Sequence, residues 1–119
     1  VALALRAGAE IMDMEFIHPR IQKTAPRFLS PEEYGSLSGG TQTLERLTVA
    51  WCVKEAVYKR MGRKGVIFSE QLLISPFVFT AEGTGRVEVR VPGEGTYTAF
   101  YELTGILSSE GRPLLVAWV

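Results

Sequence analysis

Residues 41–61, TQTLERLTVAWCVKEAVYKRM, limit the possible folds more than any other stretch of the chain. Leu44, Leu47, Trp51 and Tyr58 form one apolar row at helical spacing, and Val49, Val53 and Val57 form another, with Ala50 and Ala56 between them. A helix this apolar around its circumference belongs largely inside. It is predicted from Thr41 to Met61, with Ser38-Gly39-Gly40 breaking the chain before it and Gly62 as its C-terminal cap.

Beyond Gly65 the hydrophobic period changes to two. VIF (66–68), QLLIS (71–75) and FVFT (77–80) are read as strands, with Pro76 between the last two. RVEVRV (86–91), TYTAFYEL (96–103) and LLVAWV (114–119) follow, separated by AEGTG, PGEG and SSEGR, which carry glycine where hairpins need it. RVEVRV alternates cleanly and is expected to be half exposed, whereas LLVAWV is apolar on both faces and is expected to be central. On the N-terminal side, VALALR (1–6) and EIMDMEF (10–16) suit strands, joined through Ala7-Gly8-Ala9 as a hairpin. His18-Pro19 opens a short helical stretch that Pro26 should end or kink. Ser30-Pro31-Glu32-Glu33 is a capping box, which predicts a short helix through about Leu37. The expected class is α+β: N-terminal strands, helices including one long buried helix, then an antiparallel meander.

At 119 residues the chain suits a single domain, 1–119, with its own core. Thirteen basic and thirteen acidic residues cancel, so overall charge draws in neither nucleic acid nor membrane. No apolar run approaches the roughly 20 residues of a membrane helix. The single cysteine, Cys52, leaves no internal disulfide and implies a reducing, cytoplasmic setting. On a mostly buried helix it reads as packing rather than as a nucleophile. The first residues lack a basic leader and a cleavage site, so no signal peptide is expected. Residue 1 is valine and VALALR already alternates like a strand, so the chain is expected to be part of a longer protein.

The long helix places Lys54, Glu55 and Lys59 among Trp51, Val53, Ala56 and Val57, where charge is costly. Glu55 and Lys59, four apart, face one side; Lys54 is turned about 100° away. An exposed ion pair worth about 0.3–0.5 kcal/mol is the simplest account. It fits less well here, because Trp51, one turn before Glu55, sets that stripe beside the core. Asp13 and Glu15 alternate onto one strand face, opposite Met12, Met14 and Phe16. Either that face is solvated, or the carboxylates hold a hard divalent cation. Carboxylate oxygens suit Mg²⁺, which keeps waters and takes its other ligands from substrate phosphates. With Glu55 added from the long helix, three carboxylates would converge on one ion, with Lys59 and Lys54 beside the phosphates.

The chain resembles the 4′-phosphopantetheinyl transferases. The resemblance rests on Asp13-Met14-Glu15, on RFLSPEEY (27–34), and on WCVKEAVYK (51–59), which matches Trp-x-x-Lys-Glu-Ala-x-x-Lys at every defined position. A Gly-x-x-Lys-Gly turn follows at Gly62, Lys64 and Gly65, and β-hairpins end the chain. The resemblance implies Mg²⁺ held by Asp13, Glu15 and Glu55 against the pyrophosphate of coenzyme A. It implies Glu55 helping to deprotonate a serine hydroxyl of an acyl or peptidyl carrier protein, with release of 3′,5′-adenosine bisphosphate. Lys59 would neutralise charge on the leaving side, Lys54 and Lys64 would lie near coenzyme A, and backbone at Gly65 would pass the pantetheine arm. Ile11 stands where the family usually has glycine, two residues before the aspartate.

Larger members contain two similar halves with coenzyme A between them, and their first half supplies a histidine. His18 does not match that histidine and reads as a surface or helix-start residue. Small members, the holo-acyl-carrier-protein synthases, complete their sites by trimerising and usually carry phenylalanine where Trp51 stands; their acidic strand and long helix lie further apart. The two-half type is therefore favoured, with this chain as its second half, completed by its own N-terminal half or a second copy. A self-assembling short form comes second.

Arg20, Lys23 and Arg27 recur at helical spacing, either as a solvated basic face or as a docking stripe for an acidic carrier protein. Arg60, Arg63 and Lys64 complement the dipole at the long helix's C-terminus, with phosphate contact as the alternative. Two rivals to the enzyme remain: a non-catalytic half that dimerises or docks carriers, and an unrelated α+β interaction domain whose Lys-Glu helix is merely salt-bridged.

Overall fold

The structure, a computed structural model, describes Gly8 and residues 11–119. The strand expected over residues 1–6, and its hairpin to residues 10–16, fall outside the described residues. A first strand β1 (Met12–Phe16) leads into α1 (Ile21–Thr24), a 3-10 turn (Ala25–Arg27) and α2 (Pro31–Leu37). Then come the long helix α3 (Thr43–Met61), α4 (Phe68–Gln71), β2 (Leu73–Ile74), β3 (Thr84–Val91), β4 (Gly95–Leu107) and β5 (Pro113–Trp118). The α+β class expected from the sequence is the one observed.

The strands form one antiparallel sheet in the order β1-β5-β4-β3-β2. β3, β4 and β5 are the expected meander, and the chain's first described strand closes the sheet beyond its last. β5 is internal, as its apolar run implied, with Leu115 to Trp118 all buried. β3 is half exposed: Val87, Val89 and Val91 point inward while Arg86 and Arg90 are solvated. Helix α3 covers the inner face, packing Leu47, Val49, Val53 and Val57 against Val89, Ala99, Tyr101 and Leu115.

The register of β1 decides where its acids go. Residues directly opposite in an antiparallel pair share a face. Asp13 and Glu15 lie opposite Ala117 and Leu115, which belong to the core under α3. Met12, Met14 and Phe16 lie opposite Trp118, Val116 and Leu114 on the outer face. The expected separation of acids from apolar residues is present, and the acids are on the helix side.

Both ends of α3 follow local rules. It starts two residues later than expected, after Gln42 adopts a left-handed φ of 64°. Arg46 braces that entry, donating to the carbonyls of Leu37, Gly39 and Thr41. Gly62 ends the helix at φ 67°, a conformation glycine adopts without the steric cost of a Cβ. The α2 capping box is complete: the Glu33 amide donates to Ser30 Oγ, and Glu33 Oε1 accepts from the Ser30 amide. Pro26 does end α1, and the chain continues as the 3-10 turn.

The expectation fails between residues 66 and 80. Only Leu73–Ile74 pair as a strand, and Phe68–Gln71 form a helical turn. Gln71 stabilises that turn, its Oε1 accepting from the Ile67 amide at 2.6 Å. Residues 77–80 alternate without pairing. Phe79 is buried and stacks on Tyr101 at 5.5 Å, whereas Val78 points to solvent. The period-two pattern there records one buried side, not a ladder partner.

Candidate active site

Strand β1 and helix α3 meet at one edge of the described sheet. Lys59 joins them, its Nζ donating to Asp13 Oδ1 at 2.9 Å and to the Met12 carbonyl at 3.0 Å. The lysine thus reaches across to the strand rather than back along its helix to Glu55. Glu55 is partly buried, and its carboxyl pKa is raised, first by desolvation and then by the negative charge of Asp13, with Lys59 opposing. Beneath them the Cys52 thiol is buried. Burial raises its pKa well above the ordinary value, and the charges of Asp13, Glu15 and Glu55 add to that rise.

The three acids do not close into a finished cage. Among the described residues, no three His, Cys, Asp or Glu side chains form a metal-ligating group. Asp13 is tied to α3 by Lys59, its charge raises the Glu55 pKa, and Glu15 is exposed two residues along the same strand face. Such an open, oxygen-rich edge fits a hard cation that draws its other ligands from waters and substrate oxygens.

Two clefts flank this edge, and Trp51 lines both. One, of about 230 Å³, brings Glu15 together with His18, Arg20, Ile21, Thr24 and Thr48. The other, of about 450 Å³, brings Glu55 together with Arg27, Phe28, Tyr58, Val66, Ile67 and Phe68. The second is an aromatic groove: Phe28 and Phe68 stand 5.1 Å and 5.8 Å from the Trp51 ring, and Tyr58 stands 5.3 Å from Phe68. Lys64 and Gly65 are exposed just before Val66 and Ile67 at its rim.

Lys54 corrects the expectation that it stands beside phosphates. It is fully buried, and its ammonium is hydrogen-bonded to the Phe28 carbonyl, Glu33 Oε1 and the Phe68 carbonyl. Three donors with three acceptors leave nothing for a ligand. Desolvation lowers its pKa and Glu33 counters that shift. The basic stripe is split as well. Arg20 lines the cleft at Glu15, Arg27 lines the aromatic groove, and Lys23 lies exposed on α1 between them. His18 serves the helix start, its Nδ1 accepting from the Arg20 amide at 3.0 Å. Arg63, just beyond the end of α3, pairs with Glu94 of the β3–β4 turn.

Sequence reasoning missed Phe68 and the partnership of Lys54 with Glu33 and the Phe28 carbonyl. Phe28 and Glu33 were visible only within RFLSPEEY, Glu33 as a capping residue. The one available signal was that a lysine on a buried helix requires an acid somewhere.

Helix α3 and strand β1 thus set Glu55, Asp13 and Lys59 beside two open clefts. The family model of the 4′-phosphopantetheinyl transferase superfamily matches residues 6–113, and the chain belongs to that superfamily. It is thus a transferase-type domain of the phosphopantetheine-transferring kind. Comparison with curated proteins gives no match.

Proposed function

We propose that the protein transfers 4′-phosphopantetheine from coenzyme A to a serine of an acyl or peptidyl carrier protein, with Mg²⁺. The observation that carries this reading is the tie of Lys59 on α3 to Asp13 on β1, which sets that aspartate beside the helix bearing Glu55. Asp13 and Glu55, with Glu15 beside them, would hold the cation; when bound, it neutralises pyrophosphate charge and polarises the phosphorus. The serine oxygen attacks the β-phosphorus, a phosphodiester forms, and the bond to the oxygen of 3′,5′-adenosine bisphosphate breaks. Glu55 takes the serine proton, directly or through a water. Lys59 supports charge on the leaving side, as phosphoryl transfer depends on positioning and neutralisation.

The aromatic groove beside Glu55 has the size and apolar lining to seat the pantetheine arm, with Lys64 and Gly65 at its rim. Arg20 and Lys23, on the side of the Glu15 cleft, are the docking positions for an acidic carrier; Arg27 is assigned to the groove. Both clefts are open, which favours completion by the protein's own N-terminal half or by a second copy.

The test is mass spectrometry of an apo carrier protein incubated with the protein, coenzyme A and Mg²⁺. A gain of one phosphopantetheine group, lost in Asp13→Asn and Glu55→Gln, is expected. No transfer, or transfer that survives both substitutions, overturns the proposal. Absence of Mg²⁺-dependent coenzyme A binding by calorimetry would favour a non-catalytic docking half instead.

A further inference from the structure

We propose that Lys54 and Glu33 are a buried positioning pair that sets the width of the aromatic groove beside Glu55. The inference rests on the reading of that groove as the seat of the pantetheine arm. Lys54 Nζ donates to the Phe28 carbonyl at 2.7 Å and to the Phe68 carbonyl at 3.1 Å. These two residues are the ones whose rings flank Trp51 and face the groove. One ammonium therefore grips both walls from behind.

Glu33 fixes the ammonium in turn. Its Oε1 accepts from Lys54 at 2.9 Å and from the Ser30 amide at 2.8 Å. Its Oε2 accepts from the Ile74 amide at 2.7 Å and lies 2.9 Å from Lys54 Nζ. The end of the 3-10 turn, the start of α2, the middle of α3, the start of α4 and β2 all converge on two side chains. An apolar pair of similar volume would fill the space, and buried ion pairs are often replaceable that way at little cost in stability. It could not orient two carbonyls. The hydrogen bonds act on geometry, so stability alone does not report them.

The experiment uses a Trp118→Phe background, in which Trp51 is the remaining tryptophan of the two. The variant is Lys54→Met with Glu33→Leu, which removes both charges together. Emission and acrylamide quenching of Trp51 are measured alongside calorimetric binding of coenzyme A and of 3′,5′-adenosine bisphosphate, which lacks the arm, in Mg²⁺. The expected result is red-shifted, more quenchable Trp51 emission and coenzyme A affinity reduced by about tenfold, with bisphosphate affinity unchanged. Unchanged emission and unchanged affinities in the folded double variant overturn the proposal. If that variant does not fold, Glu33→Gln, which keeps the shape and the Ser30 acceptor, is measured in its place, and the same outcomes support or overturn the proposal. If coenzyme A binds not even the parent protein, the proposed function falls; the Trp51 signal then decides on its own whether the pair sets the walls.

Discussion

Glu55 ionises in surroundings that disfavour its charge, which gives function and stability opposite signs at one residue. Its folded-state pKa lies above the ordinary value of 4.5, from desolvation first and Asp13 second. Below that ordinary value the carboxyl is protonated in both folded and unfolded chains and contributes nothing to the balance. Above the folded pKa it is charged in both, and the charge is worse placed in the fold. Glu55→Gln should therefore raise the melting temperature at neutral pH, and the gain should shrink as pH falls through the folded pKa. Solvent screening at this partly exposed site keeps the gain below about 1 kcal/mol. Under the proposed mechanism the same substitution should cut transfer by about 10²–10⁴-fold, the range for loss of a general base. Thermal melts at pH 4 and pH 7, beside transfer assays, read both. Glu55 and Asp13 could be picked out in the sequence because uncompensated acids near a core need a reason. The role of Lys54 could not, because two of its acceptors are backbone carbonyls 26 and 14 residues away.

Elements whose pattern is reinforced by their ends were legible: α3 between a glycine break and Gly62, and β3 to β5 between glycine turns. The stretch from 66 to 80 was not, because a buried side and a ladder partner give the same alternation over three or four residues. What holds that stretch is tertiary. Tyr101 from β4 stacks on Phe79, lies 6.1 Å from Phe77, and its hydroxyl reaches the Val78 carbonyl and the Thr80 amide at long hydrogen-bond distances. Gly85 on β3 makes room for that ring, since a Cβ there would come within 2.8 Å of it. Gly85→Ala is thus expected to destabilise by about 1–3 kcal/mol, the usual cost of overpacking. Urea titration gives the magnitude, and faster proteolysis within residues 76–80 than elsewhere would locate it. Arg46→Ala loosens a different element boundary. Losing three donors to the α2–α3 loop carbonyls should cost about 1–2 kcal/mol while leaving the groove intact, checked by the same titration and by unchanged Trp51 emission.

At the scale of the whole molecule, the site exists because the first described strand pairs with the last. No local pattern announces that pairing; it follows only once β5 is internal and needs a neighbour on its free side. It carries Asp13 and Glu15 from near the start of the chain to a helix some forty residues later. Among the described residues β1 ends the sheet, held by its ladder to β5 and, on the helix side, by Lys59. Breaking that tie should loosen β1 before the strands inside the sheet, since local openings need less free energy than global unfolding. Lys59 is 45% exposed, so its contribution is that of a largely solvated ion pair, about 0.5–1 kcal/mol. In Lys59→Met, hydrogen exchange of the β1 amides should accelerate by about twofold to fivefold, while the β3–β4 amides, which open with the global transition, change little. Uniform acceleration across all strands would mean that Lys59 supports the fold as a whole. Acceleration confined to β1 would mean that it fastens the acidic strand to α3, and that Asp13 and Glu55 owe their alignment to one lysine.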